Sequence, residues 1–307
     1  MPAQNLRLNL TMHGLGMKSK WLLRAIMVSG LCLTATGAPA SPRLRVIYPR
    51  PETPFDNRSG YPLAVLRLAL EHLHVNFVLT PSAIVLTQAR TLKLLQSDQV
   101  VTVGWSVATA ERDRELRTIS VPIDRGLIGW RVLLIRRGDE KRFSRIRTAS
   151  QLVHIPMAQG HDWPDLTILR DNGFDVAAAA DYTSLFMMLK KGRIDAIPRS
   201  VAEVGQELHS SNGSGLTIET HLLLHYPSSL VFFVAKNNAP LAADLQKGLQ
   251  EAVADGSLQR LFKRTYSRNL SALHLRNRRV IELVNPLLPK HLLPTQHGLQ
   301  LQRDELQ

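Results

Sequence analysis

The segment Gly104 to Pro122, GWSVATAERDRELRTISVP, gathers hydroxyls, a tryptophan and a run of charges between apolar stretches. Arg112 is the residue in it best suited to holding a ligand. A planar guanidinium presents fixed N–H donors, so it can grip a carboxylate by two parallel hydrogen bonds, which a lysine ammonium cannot do. Ser106 and Thr109 stand just before it and can offer hydroxyls to the same anion. A second reading fits the same residues: Glu111, Arg112, Asp113, Arg114, Glu115 and Arg117 can form a solvated helix start whose charges pair with one another.

Another informative stretch runs from Pro156 to Pro198. Gln159-Gly160 ends an apolar segment, Asp181-Tyr182 follows a helical stretch, and then comes SLFMMLKKGRIDAIPRS. Gly192 suits the left-handed residue that closes a helix, and Leu185, Met188 and Leu189 suit its buried face. Further on stands VFFVAKNNAPLAADLQKGLQEAVADGSLQRLFKRTY, with Asp255-Gly256 near its middle.

Taken in order, these segments resemble the polar amino-acid binding family of periplasmic solute-binding proteins, over about residues 43 to 266. Thr109, Glu111 and Arg112 match the family's Thr-x-Glu-Arg, Ser120 and Pro122 its Ser-x-Pro, and the Gly-Arg-Ile-Asp-Ala at 192–196 its helix-to-strand turn. The later stretch resembles its closing strand and two helices. The resemblance implies an α/β type II periplasmic binding fold of two lobes, each a mainly parallel sheet flanked by helices, joined by a two-strand hinge. It also implies a small-molecule ligand, with Arg112 as anchor of a ligand carboxylate, Thr109 and Ser106 in support, and the Gly160, His161, Asp162 turn touching the ligand from the other lobe. The partner it implies is an inner-membrane permease of an ABC-type importer, or alternatively a membrane kinase or cyclase served as a ligand sensor. The protein is expected to be a monomer.

The pocket departs from the family pattern. Family members place an acid just after the Gly-Arg-x-Asp-Ala strand to meet a ligand ammonium; here Ser200 stands there, beside Arg199. An ammonium facing Ser200 and Arg199 lacks its countercharge, and an unpaired buried charge costs several kcal/mol. The family's stacking aromatic before Pro-Phe becomes Glu52 ahead of Pro54-Phe55, and Trp105 lengthens the turn by one residue. Trp105 and Trp163 offer replacement stacking surfaces, and Glu52 or Asp162 a replacement acid. Core packing is the competing reading for either tryptophan, and capping of the helix at Trp163-Pro164 the competing reading for Asp162.

His161 has the titration range of a proton shuttle. The chain has no Ser-His-Asp order with a nucleophile elbow, no His-Glu-x-x-His and no phosphate-binding glycine loop, so no catalytic residue, metal or cofactor is expected. The alternative retained on the same fold is a cyclohexadienyl dehydratase-like enzyme.

Of 307 residues 44% are apolar and 21% charged, enough for one or two ordinary cores. The chain is basic, with a formal charge of +13. Its Lys and Arg are scattered and no nucleic-acid motif accompanies them, so no nucleic-acid partner is expected. Lys18, Lys20 and Arg24 precede the apolar run Ala25 to Leu33, and Ala38-Pro39-Ala40 follows, the pattern of a cleavable secretory signal. The expected destination is the periplasm, the signal covers 1–40, and Met12 and Met17 are candidate starts alongside Met1. The single Cys32 lies inside that signal.

Apolar periodicity predicts strands at 44–48, 76–79, 100–103, 131–135 and 155–158, helices at 62–72 and 87–96, and a helix from Trp163. One lobe is expected from 41–124 plus 230–307 with a C-terminal strap, the other from 125–229. RRVIELVNPLLPKHLLP reads as a short helix followed by an extended strap packed on the first lobe.

Overall fold

The computed structural model describes residues 44–53, 56, 58–293, 301 and 303–306, without the side chain of 304. The expected signal at 1–40 and the Pro54-Phe55 pair lie outside the described residues.

In chain order the main elements are β1 (Leu44–Arg50), α1 (Gly60–His72), β2 (Phe77–Val85), α2 (Gln88–Leu95), β3 (Gly104–Val107), α3 (Ala110–Glu115) and β4 (Arg117–Thr118). There follow β5 (Trp130–Arg136), α4 (Glu140–Phe143), α5 (Ala149–Leu152), β6 (Met157–Gly160), α6 (Pro164–Asp171), β7 (Val176–Ala179), α7 (Tyr182–Lys190), β8 (Ile197–Ser200) and α8 (Val204–His209). The last are β9 (Leu216–Ile218), β10 (Leu222–His225), β11 (Leu230–Val234), α9 (Ala239–Ala254), α10 (Ser257–Ala272) and β12 (Arg279–Glu282). No helix among the described residues is long and apolar enough to cross a membrane.

The helices start and stop where local chemistry dictates. The Asp181 carboxylate accepts the Ser184 amide at 2.7 Å to cap α7, and Gly192 closes the same helix at φ +69°. In α1, Tyr61, Val65, Leu66, Ala69 and Leu70 recur at helical spacing and are buried; α9 packs against them so closely that a Cβ on Gly248 would lie 2.0 Å from the Ala69 carbonyl.

Two groups of strands result. β1 and β2 are parallel, and the amides of Thr102 and Val103 bond to the Ile47 carbonyl, carrying the chain into β3. β11 lies antiparallel between β3 and β4. In the other group β5 pairs antiparallel with β8, β9 and β10, β6 and β7 are parallel, and a parallel bridge from Met157 to Ala196 joins these two parts. The βαβ stretches pair in parallel, as the alternating pattern requires, and the strands next to the crossovers pair antiparallel. The strand expected at 100–103 begins at Gly104, where the ladder partner β11 is available.

The segments on either side of Asp124 and Ser228 form the hinge. The Ile123 amide bonds to the Leu230 carbonyl at 2.9 Å and the Tyr226 amide to the Gly129 carbonyl at 3.2 Å. Gly129 permits this approach, since a Cβ there would lie 2.1 Å from the Tyr226 carbonyl oxygen. Asp124 ties both crossings together: its carboxylate accepts the amides of Ile128 at 2.7 Å, Gly126 at 3.1 Å and Leu230 at 3.4 Å. Burial pushes its carboxyl up to about 6, the amide bonds only partly opposing this.

A raised folded value means that the native state holds the Asp124 proton more tightly than the unfolded chain. That stabilisation is complete below the unfolded value near 4 and is lost as pH rises through about 6. The wild type should therefore lose on the order of 1–3 kcal/mol relative to Asp124→Asn between pH 4 and pH 7. Urea titrations of both proteins across that range check this; a stability difference independent of pH would contradict it.

After α10 the sequence predicts a short helix, but 279–282 forms β12, parallel to β10. Val280 and Ile281 favour the extended form, and Ile281 is buried in it. The strap then runs along the hinge: the Asn285 side chain donates to the Pro227 carbonyl, the Ala110 amide to the Leu287 carbonyl, and the Ser229 hydroxyl to the Leu292 carbonyl. Leu292 ends in the apolar cluster of Leu86, Leu92 and Leu95. The strap thus touches both strand groups, and not the first lobe alone, because its pairing with β10 satisfies backbone groups that a helix would have satisfied internally.

Candidate functional site

A cleft of about 870 Å³, open to solvent, lies between the two strand groups beside the hinge. Four of the expected residues line it: Glu52, Trp105, Ser106 and Trp163. Trp105 stands at the cleft edge of β3, its ring edge-on to Phe232 at 6.3 Å. Trp163 is 9% exposed and lies flat on the backbone at Gly160, where a Cβ would meet its ring at 2.7 Å.

Arg112 is placed differently from expectation. Its guanidinium lies behind the lining residues Ser106 and Gln88, donating to Ser106 Oγ at 2.7 Å, the Val107 carbonyl at 2.8 Å and Gln88 Oε1 at 3.0 Å. Burial lowers it to about 10, against the opposing charges of Asp162 and Asp165. Among the described residues it forms no ion pair, nor do the charges from Glu111 to Arg117 pair with one another. It is thus a half-buried cation whose hydrogen-bond acceptors are all neutral oxygens.

The remaining expected residues have local partners. The Thr109 hydroxyl accepts the Arg112 amide at 3.2 Å and so caps α3. Ser200 is fully buried opposite Arg131, its hydroxyl accepting the Ala202 amide. His161 is exposed and its ring faces the Ala179 carbonyl, away from the cleft lining. Asp162 does not cap α6. Its carboxylate accepts the Ala89 amide at 2.8 Å, in the first turn of α2 on the opposite lobe, and its carbonyl stands 3.5 Å from Arg112 Nη2. A carboxylate at a helix N-terminus is a favourable contact, and this one joins the lobes across the cleft mouth.

Sequence reasoning missed an ionic network in the cleft. Arg131, 2% exposed on β5, pairs with Asp165 at 2.5 Å, and the Tyr226 hydroxyl donates to the same carboxylate. Arg199, 1% exposed at the end of β8, donates to Glu203 at 2.7 Å and to Glu207 at 2.5 Å, and Tyr182 donates to Glu207 at 2.9 Å. Burial disfavours the charge on Arg199, but its two carboxylates outweigh this and hold it well above the usual range. Burial, with the neighbouring charge of Glu207, raises Glu203 despite Arg199. On the first lobe Arg58 pairs with Asp56 at 2.7 Å and Glu52 at 2.8 Å, and its guanidinium reaches over Tyr182 at 4.3 Å and Trp163 at 5.4 Å. Arg199 approaches the Trp163 ring at 4.8 Å. Trp163 is thus the surface on which arginines from both lobes meet. Two signals for this network are present in the sequence: a charge within the apolar strand WRVLLIR, and acids four and eight residues after Arg199.

No group of His, Cys, Asp and Glu among the described residues has the arrangement of a metal site. Compared with protein-family models and with curated proteins, the chain matches none. Solved structures do match. An ancestral arginine-binding protein bound to arginine is similar at 18% identity and a TM-score of 0.55, over 74% of this chain and 99% of that one. An ancestral amino acid-binding protein, a precursor of cyclohexadienyl dehydratase, is similar at 14% identity and 0.53, over 73% and 95%. A histidine kinase sensor domain with similarity to periplasmic binding proteins is similar at 15% identity and 0.53, over 74% and 96%. At these identities the likeness shows the fold.

Proposed function

Starting from the type II periplasmic binding fold that the chain adopts, we propose that it is an extracytoplasmic solute-binding protein. It closes on a small carboxylate-bearing solute and delivers it to an inner-membrane ABC-type importer. The observation carrying this reading is Arg112, a half-buried guanidinium without a carboxylate partner among the described residues, set behind cleft-lining Ser106 and Gln88. A ligand anion that displaces Gln88 Oε1 gains access to Nη2 while Ser106 keeps Nη1 in place. Trp105 offers the ligand an aromatic surface at the cleft edge, and Glu52, paired with Arg58, lines the same cleft. The contact between Asp162 and α2 suits a latch that holds the lobes together once a ligand is bound.

A thermal-shift screen of amino acids, organic acids, amines and short peptides tests the reading. A ligand at about 100 times its Kd stabilises the bound form by about 2.7 kcal/mol. Arg112→Ala should weaken binding of any carboxylate hit at least about tenfold, as expected for loss of a charged hydrogen bond; binding equal to wild type in calorimetry would remove Arg112 as the anchor.

The second reading is a ligand-sensing subunit for a membrane kinase or cyclase, supported by likeness to the kinase sensor domain. Ligand-dependent binding to a separate membrane kinase, without uptake, would favour it. Likeness to the dehydratase precursor keeps an enzyme as a third reading, to be separated from binding by product analysis of any hit.

A further inference from the structure

Beside the front cleft, on the hinge side, lies a second crevice of about 830 Å³ between α1 and α10 of one lobe and α7 and α8 of the other. The two cavities share Arg58 and Glu203. We propose that this crevice is a binding compartment for an organic cation, an ammonium or guanidinium group, held by Glu203 and Tyr266. It deepens the reading of the front cleft as a carboxylate site: a ligand filling both compartments is a zwitterion whose charges are separated along its length.

The charges around the crevice call for a cation. Glu203 and Glu207 share Arg199, Glu52 and Asp56 share Arg58, and Asp124 is held by backbone amides alone. Carboxylates therefore outnumber guanidiniums in this part of a chain whose formal charge is +13. Burying carboxylates without matching cations is costly, and burial raises both Asp124 and Glu203. An anion entering here would add to the imbalance, whereas a cation offsets it.

The second observation is independent of charge. Tyr266 is 7% exposed and lines the crevice, yet its hydroxyl has no protein partner among the described residues. One Glu203 oxygen accepts from Arg199, while the other has no donor among the described residues. Both atoms are accessible within the crevice, so a ligand group can bond them there in place of water. The ring faces supply the rest. Tyr61, Tyr182 and Tyr266 all line the crevice, with Tyr61 and Tyr266 4.8 Å apart, and aromatic faces attract ammonium and guanidinium groups.

Calorimetry and thermal shift on the full chain would compare ω-aminoalkanoates, from 4-aminobutanoate to 8-aminooctanoate, with the matching alkanoates and alkylamines, against a sodium chloride baseline. The expected result is an aminoalkanoate of one preferred length binding at least about tenfold more tightly than its alkanoate, with that ratio falling to near one in Glu203→Gln and by about fivefold in Tyr266→Phe. Circular dichroism and the unliganded melting temperature check folding, and the conservative Tyr266→Phe keeps the test valid if Glu203→Gln unfolds. Amines with no advantage over the salt baseline, or an advantage that survives both substitutions, would overturn the compartment. Alkylamines that bind in a Glu203-dependent way while no alkanoate binds would support the compartment and refute the carboxylate reading of the front cleft.

Discussion

Arg199→Met is expected to destabilise the protein by about 3–5 kcal/mol at pH 8. Methionine roughly fills the volume but brings no donor, so Glu203 and Glu207 would be left facing each other with the Tyr182 hydroxyl as the remaining donor to Glu207 and Arg131 and Arg58 as the more distant cations left to Glu203. Removing one partner of a buried ionic cluster costs more than the cluster contributes, since the remaining charge keeps its desolvation penalty. The penalty should depend on pH in a definite direction. In the variant one of the two carboxylates would hold a proton more tightly folded than unfolded, so its contribution is present at low pH and lost as pH rises. The gap between wild type and variant in urea titrations should therefore shrink from pH 8 towards pH 5. Adding Glu207→Gln to Arg199→Met should recover part of the loss, a coupling read from the double-mutant cycle. A loss under about 1 kcal/mol that ignores pH would mean that Arg199 is not what keeps these carboxylates charged.

Trp163→Ala is expected to cost about 3–5 kcal/mol through cavity formation, with roughly 0.5–2 kcal/mol more for each cation–π contact that is truly desolvated. Its indole fills the space above Gly160 and receives Arg199 and Arg58 from opposite lobes. For a chain of this length each kcal/mol corresponds to roughly 2–4 °C, so the cavity alone should lower the melting temperature by roughly 6–20 °C. Trp163→Phe should retain most of the packing. Because the indole also forms a wall of the front cleft, the Ala variant should lose ligand-induced stabilisation measured against its own unliganded baseline. An Ala variant melting within 2 °C of wild type, a margin worth about 1 kcal/mol at most, would show that the site collapses without cost and that Trp163 carries neither role.

Much of the fold was legible in the sequence because local rules and tertiary packing agree there. α1, α2 and α7 lie where apolar periodicity put them, and Gly192 takes the left-handed conformation that its position implied. Where pairing partners are remote, the local signal failed. The strand before Trp105 begins at Gly104 because β11, more than a hundred residues away, sets its register. RRVIELV had enough helical character to mislead, and β10 decided that its centre would be a strand.

The ligand region divides similarly. The family resemblance, not the periodicity, put Arg112, Ser106, Trp105 and Trp163 forward as ligand contacts, and the last three line the cleft. Ser200 in the place of an acid also made a cation in that position unfavourable. Only the tertiary structure decided which way Arg112 turns, because Ser106, Gln88 and the Val107 carbonyl approach it from different elements. Only the tertiary structure gathered Glu203, Glu207, Asp124, Arg58 and Tyr266 around a second crevice. Their separation in sequence carries no sign of proximity, and whether a charge is solvated or buried depends on which chains cover it. A charge run such as 111–117 can therefore be read for its chemistry but not for its partners, and the balance of buried charge that selects a ligand exists only once the lobes meet.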